Sequence, residues 1–180
     1  MIAAPIPIGP APPTVQQVCR QRVNYSVFRT TCPTRWPRRG DGTGVVLRHK
    51  TLRGPSGWYA DFENRAGFGA PDGGHVIVGG QRPPFSLVGE AGAAWPAPGE
   101  PQPLRLFNLP SLTVIRRAAV HGLPALVLAA PSFPQGGENG DHVIVVWNPE
   151  GHGAFVSLHL GGYAQPDRIA GALAVAASWR

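Results

Sequence analysis

Charge is scarce in this chain. Only 14% of its 180 residues are Asp, Glu, Lys or Arg, against about a quarter in ordinary soluble domains. Lysine occurs once, at Lys50, so 15 of the 16 Lys+Arg residues are arginine. Together with the abundance of Ala, Gly and Pro, this fits a GC-rich coding bias, which lowers the weight any single arginine carries. Cysteine occurs twice, at Cys19 and Cys32. That is too few for an all-cysteine zinc site, and there is no C-x-x-C. No apolar run approaches the roughly 20 residues of a membrane-spanning helix. The phosphate-cradling pattern G-x-x-x-x-G-K-[ST] is missing, and no G-x-G-x-x-G opens a helix after a strand, so the sequence offers no nucleotide-binding loop and no cofactor is expected. No H-x-x-x-H or H-E-x-x-H pair occurs, and Gly54-Pro55-Ser56-Gly57 misses the G-x-S-x-G spacing and reads as a turn.

What is present points to a folded, loop-rich chain. Hydrophobic residues make up 43%, and 24 glycines with 21 prolines account for 45 of the 180 positions. That share borders on low complexity, yet strand-like apolar runs recur between the Gly/Pro clusters. Residues 1–13 read as a flexible Pro-rich tail and 14–180 as a single domain. The leader has no positive start, and its prolines interrupt any apolar stretch, so it is not a signal peptide as it stands. It has the character of an extended stalk following a removed signal or anchor. Such a chain is expected to be secreted or membrane-anchored outside the cytoplasm, where a Cys19–Cys32 disulfide would persist and contribute about 3 kcal/mol by closing a loop of about 14 residues.

Charge is divided unevenly. Residues 1–60 hold nine basic side chains and one acid, Asp41, a net of +8, whereas residues 61–180 hold seven basic and nine acidic, a net of −2. A basic face toward an anionic polymer or membrane surface follows, with Arg35, Arg38 and Arg39 at its densest point. No aromatic-interleaved nucleic-acid motif accompanies it, so specific nucleic-acid binding is not expected. Trp95, set in an Ala/Pro/Gly-rich loop over residues 89–103, is the aromatic best placed for a partner contact.

The pattern of elements predicts an α+β fold: a mostly antiparallel sheet of about eight short strands, a short N-terminal helix, and a C-terminal helix packed on the sheet. Thr14 reads as an N-cap for a helix from Val15 to about Arg22. Strands are expected around Tyr25–Phe28, Val45–His49, Trp58–Glu63, His75–Val78, Phe85–Val88, Thr113–Val120 and Ala125–Ala130, with His121-Gly122-Leu123-Pro124 turning between the last two. The clearest signal is the close of the chain. Asp141–Trp147 and Ala154–Leu160 form a hairpin, and a helix runs from Pro166 to about Trp179 with Asp167 at its positive end. Ile169, Leu173 and Ala176 form that helix's apolar stripe, with Ala170, Ala174 and Ala177 opposite. Trp147 and Trp179 are expected in the sheet–helix core. One internal echo stands out: His75-Val76-Ile77-Val78 repeats at His142-Val143-Ile144-Val145, each after a Gly-rich loop, the trace either of a duplicated half-domain with paired histidines or of two similar β-branched strands.

Tyr25–Pro37, with Thr31-Cys32-Pro33-Thr34-Arg35-Trp36-Pro37 leading from an apolar strand, resembles the entry of bacterial envelope domains found at the C-termini of Gram-positive lipoproteins and of sporulation or anti-sigma-factor membrane proteins. Val143–Trp147, Gly151, Phe155–His159 and Ile169–Trp179 are similar to the closing strand, turn, strand and helix of those domains and of exported actinobacterial lipoproteins of the PsbP-like class. Trp36 stands where the family has Leu, and the two cysteines depart from its pattern. The resemblance implies an extracytoplasmic, non-enzymatic domain, and it carries over no functional residues.

Chemistry has one candidate location. On the last strand, Phe155, Ser157 and His159 share one face and Val156, Leu158 and Leu160 the other. An antiparallel partner brings His142 opposite His159. With Asp141 or His75 as a third ligand such a pair would hold a metal; the alternative is that both histidines bond loop backbone and seal a sheet edge, and no metal site is assigned. Asp141 and His142 point to opposite faces, which argues against a nucleophile triad with Ser157. The resulting expectation is a non-catalytic envelope domain that binds a protein or anionic polymer through Arg35, Arg38, Arg39, Trp95 and His159. A carrier of a small apolar molecule or lipid, and then a metal-dependent or hydrolytic enzyme around His142, Ser157 and His159, are the alternatives.

Overall fold

The computed structural model describes residues 5–23, 32–38, 47–54, 57–64, 74–81, 101–102, 112–129, 142–147, 153–160 and 163–180. Within them the chain builds β1 (Ile8–Pro10), α1 (Pro13–Val23), β2 (Arg35–Pro37), β3 (Leu47–Gly54), β4 (Gly57–Asn64), β5 (Gly74–Gln81), β6 (Pro101–Gln102), β7 (Leu112–Val120), β8 (Leu123–Ala129), β9 (Val143–Trp147), β10 (Gly153–Leu160) and α2 (Gln165–Ala177). The α+β class is as expected: an antiparallel sheet with one helix near each end of the chain. The strands divide into a β1–β2 ribbon and an eight-stranded sheet in the order β3-β4-β5-β10-β9-β8-β7-β6. The expected strands at Tyr25–Phe28 and Phe85–Val88 lie outside the described residues.

The sheet is two meanders joined through β10. Its outer strands are guarded: β3 carries Arg48, Lys50 and Arg53, and β6 is two residues long and starts with Pro101, both recognised protections against edge pairing. β7 and β8 join at His121-Gly122 alone, where φ is 51° and 76°. Two consecutive residues at positive φ make the tight hairpin turn whose twist matches the strands. Leu123 and Pro124 therefore belong to β8, opposite Val120 and Ala119, and not to the turn.

The closing hairpin falls as expected, with Ala154 opposite Trp147 and Leu158 opposite Val143. Both of its faces are buried. Val143, Val145, Trp147, Ala154, Val156 and Leu158 lie on one side, Ile144, Val146, Phe155 and Ser157 on the other, and each is at most 1% exposed. This explains why β9 reads Val-Ile-Val-Val-Trp without a polar position. Strict alternation marks a sheet with one wet face, and this strand has none.

α2 lies on the Leu158 side. Of the expected stripe Ile169, Leu173 and Ala176, only Ala176 is buried, beside Gly171, Ala172 and Val175, while Ile169 and Leu173 pack at the flank. Small side chains here let the helix backbone approach the sheet. A Cβ at Gly171 would stand 3.2 Å from both Ile6 Cδ1 and Leu158 Cδ2. Trp179, just past the helix, meets Trp147 edge-on with centroids 5.3 Å apart at 82°, and Trp36 of β2 meets Phe62 of β4 at 5.3 Å and 81°. These edge-to-face arrangements satisfy the ring quadrupoles.

The N-terminal segment corrects two expectations. From Pro5 onward it is part of the fold and not a flexible tail: β1 pairs antiparallel with β2, Ile8 opposite Pro37 and Pro10 opposite Arg35, and Ile6 is buried. Prolines suit such a two-stranded ribbon, since their missing N–H groups fall where no further strand pairs. Thr14 is inside α1 and is not its cap. The helix starts at Pro13, and the Pro12 carbonyl accepts from the Val15 and Gln16 amides. Proline at the first helical position gives up an amide that would have no partner there.

α1 is fastened to the following segment by the Cys19–Cys32 disulfide, with Cα atoms 5.9 Å apart. Among the described residues no helix is long and apolar enough to cross a membrane. Replacing both cysteines by alanine is expected to lower the unfolding free energy by about 3 kcal/mol, the loop-closure value for this spacing, read from urea denaturation without reductant. Gly171→Val is expected to cost about 2 kcal/mol by overpacking against Ile6 and Leu158, seen as a lower urea midpoint at unchanged slope.

Candidate functional site

Two places gather the residues with chemistry in them, one on each side of the sheet. The first is at the start of β9 and the end of β10. Leu158 pairs with Val143, so the next rung outward sets His159 opposite His142. Their rings meet with centroids 5.2 Å apart at 61°. One rung inward, Ser157 Oγ lies 2.8 Å from His142 Nδ1. His142 is 3% exposed and Ser157 1%, so each is the other's partner away from water, where an unpaired hydroxyl or imidazole nitrogen is costly.

The face bearing Ser157 and His159 is thus buried along most of its length, and only His159 reaches partial exposure. Nor is this a sheet edge, because β10 is hydrogen-bonded on both sides, to β9 and β5. The histidines mark a strand end in the middle of the sheet. A serine 1% exposed cannot meet a substrate carbonyl, so the His142–Ser157 pair fixes a ring orientation and does not present a nucleophile. Asp141 lies outside the described residues, and among the described ones no group of three or more His, Cys, Asp or Glu side chains comes together as a ligand set.

The register gives the internal echo a geometry. β5 and β9 flank β10, and the two His-Val-Ile-Val segments stand level across it. Ser157 faces Ile77 on one side and Ile144 on the other, Val156 faces Val78 and Val145, and His159 faces His75 on the side opposite His142. Like residues therefore repeat at like levels on either side of β10.

The second place is the cap formed by β1, α1, β2 and the residues after α2, on the opposite side of the sheet. Its interior is Trp36, Cys19, Cys32 and Trp179. Cys32 and Arg180 exchange both backbone hydrogen bonds, at 2.7 and 3.1 Å. Thr34 donates its hydroxyl to the Ser178 carbonyl at 2.9 Å, and the Arg35 amide donates to Ser178 Oγ at 3.0 Å. The Gln16 side-chain amide donates to the Pro33 carbonyl. On the outside stand Arg20, Arg35, Arg38 and Arg180, all exposed. Gly9 leaves the room that the Arg38 guanidinium occupies, since a Cβ there would run into it.

Of the five residues expected to meet a ligand, Arg35 and Arg38 share the cap, while His159 belongs to the other face of the sheet. Arg39 and Trp95 lie outside the described residues. Arg20 and Arg180 were not expected. Arg20 follows Cys19, so the cysteine pairing is the one cue that puts it on the cap, and nothing local in the sequence foretells that Arg180 lines up with Cys32.

No family model matches the chain, and no match is found among curated proteins or solved structures. Ser157→Ala is expected to destabilise the fold by about 1–3 kcal/mol, because it removes the buried hydroxyl bonded to His142 Nδ1, measured as a lower urea midpoint.

Proposed function

We propose that this chain is a non-catalytic, extracytoplasmic domain of the cell envelope that binds an anionic envelope polymer through its arginine-bearing cap. The observation that carries the reading is the placement of Arg20, Arg35, Arg38 and Arg180 as exposed side chains on a cap held by the Cys19–Cys32 disulfide. The disulfide ties together the backbone that carries them, and arginine suits phosphates and carboxylates by its planar fork of donors. A structural disulfide persists in oxidising surroundings, which favours the compartment outside the cytoplasm. The net charge of +6 adds attraction at longer range.

Binding to a polyglycerol-phosphate chain, followed by calorimetry at rising salt, tests this. Affinity is expected to fall steeply with ionic strength, since exposed charges are screened within about 10 Å at 0.1 M salt. Each arginine near an anionic surface contributes about 1 kcal/mol, so Arg35→Ala combined with Arg38→Ala should weaken binding about 30-fold. Affinity indifferent to salt and to both substitutions would refute the electrostatic reading and leave a protein ligand as its replacement.

A further inference from the structure

We propose that the outer face of α2, with β7 beside it, docks on an anionic lipid bilayer. The helix packs on β9 and β10 and buries Gly171, Ala172, Val175 and Ala176. Helical spacing sets Pro166, Ala170, Leu173, Ala174 and Ala177 on the side turned away from the sheet. Pro166, Ala170 and Ala177 are exposed, and Leu173 and Ala174 are half-buried. From Ile169 to Ala177 the helix has no polar side chain. A helix with one face on a sheet and the other in water carries polar residues on its wet side, and one that is apolar all round is normally covered. A further exposed apolar group stands on the same side of the sheet. Leu123 is two positions along β8 from Ala125, which pairs with Trp147, and it is 37% exposed.

Charge decides what covers this face. Arg116 of β7 pairs with Val127, which pairs with Val145, so it stands on the α2 side, and it is exposed. Past the end of α2, the Arg35 amide donates to Ser178 Oγ and Arg180 pairs with Cys32, and both arginine side chains are exposed. Arginines therefore flank the apolar face on two sides. α1, β2, β7 and β8 contain no acid, and α2 has only Asp167, in its first turn and half-buried. A second copy of the chain meeting this face with its own would set arginine against arginine, which is costly. An anionic bilayer suits both parts. Headgroup phosphates take the guanidiniums, and the acyl boundary takes the uncharged helix face, as for helices that lie in the plane of a membrane. With 13 residues, α2 is about 20 Å long, which fits lying on a bilayer and not crossing it. The polymer-binding reading rests on the arginine cap, whereas this face adds α2, Arg116 and Leu123.

The full chain with its disulfide intact is sedimented with vesicles of phosphatidylglycerol and phosphatidylcholine in equal parts, and with vesicles of phosphatidylcholine alone. Binding to the anionic vesicles is expected to be at least about tenfold tighter. Ala170→Asp and Ala177→Asp each put a charge on the exposed helix face and should weaken vesicle binding about tenfold. Binding to polyglycerol phosphate should stay within about twofold in both, since neither residue belongs to the cap. Arg116→Ala should weaken vesicle binding about fivefold. It leaves α2 untouched, so the test stands even where an aspartate costs the helix its stability. No preference for anionic vesicles, or undiminished binding in the aspartate variants or in Arg116→Ala, overturns the proposal. So does a dimer in analytical ultracentrifugation that Ala170→Asp dissociates, which would give the face to a second copy. Vesicle binding without polymer binding would remove the polymer reading and leave this one standing.

Discussion

The structure depends on the double enclosure of β10. Hydrogen bonds to β5 and β9 satisfy its backbone on both edges, and its side chains from Gly153 to Leu158 are buried on both faces. A strand with no wet face and no free edge can hold polar atoms only in pairs. Ser157 and His142 are such a pair, and the strand's one partly exposed histidine, His159, stands at its end. Among the described strands the two meanders meet through β10, so the levels of β3 to β5 and of β6 to β9 are fixed by its register. A slip of one residue would send Ser157 into the α2 interface and Leu158 away from it.

That dependence explains what could be read from the sequence. The closing hairpin and α2 were legible because local signals agree there: β-branched runs, a short turn, a proline and an acid at the helix start. The buried positions of Trp147 and Trp179 followed from the same segment. The β1–β2 ribbon was hidden, since Ile8–Pro10 and Arg35–Pro37 are short, proline-rich and far apart, and no local periodicity marks such a pair. Only Ala176 of the stripe legible in α2 meets the sheet, because hydrophobicity ranks Ile169 and Leu173 above Gly171 and Ala172, whereas close approach of backbones ranks them the other way. The turn between β7 and β8 is shorter than its composition suggested, because His121 takes a positive φ that few side chains adopt.

The histidines show how register gives sense to a weak repeat. Four shared residues at His75–Val78 and His142–Val145 say little as a string. Level on either side of β10, they bring like residues into register rows across three strands. The arginines are harder to read, since two of the four on the cap, Arg20 and Arg180, join it only through the disulfide and the late chain segment. Whether a basic residue stands alone or in company depended there on contacts across the whole length of the chain.

The hydrogen bonds that join Thr34 and Arg35 to Ser178 bridge 144 and 143 residues of chain. The cap is thus a clasp made from the first and last described parts of the molecule. During synthesis the early half of that clasp waits for nearly the whole chain to follow, and such distant pairings form slowly. The two cysteines lie 13 positions apart, both in the early half of the clasp, so their bond secures that half by itself, while the last residues are held to it by hydrogen bonds through Cys32, Thr34 and Arg35.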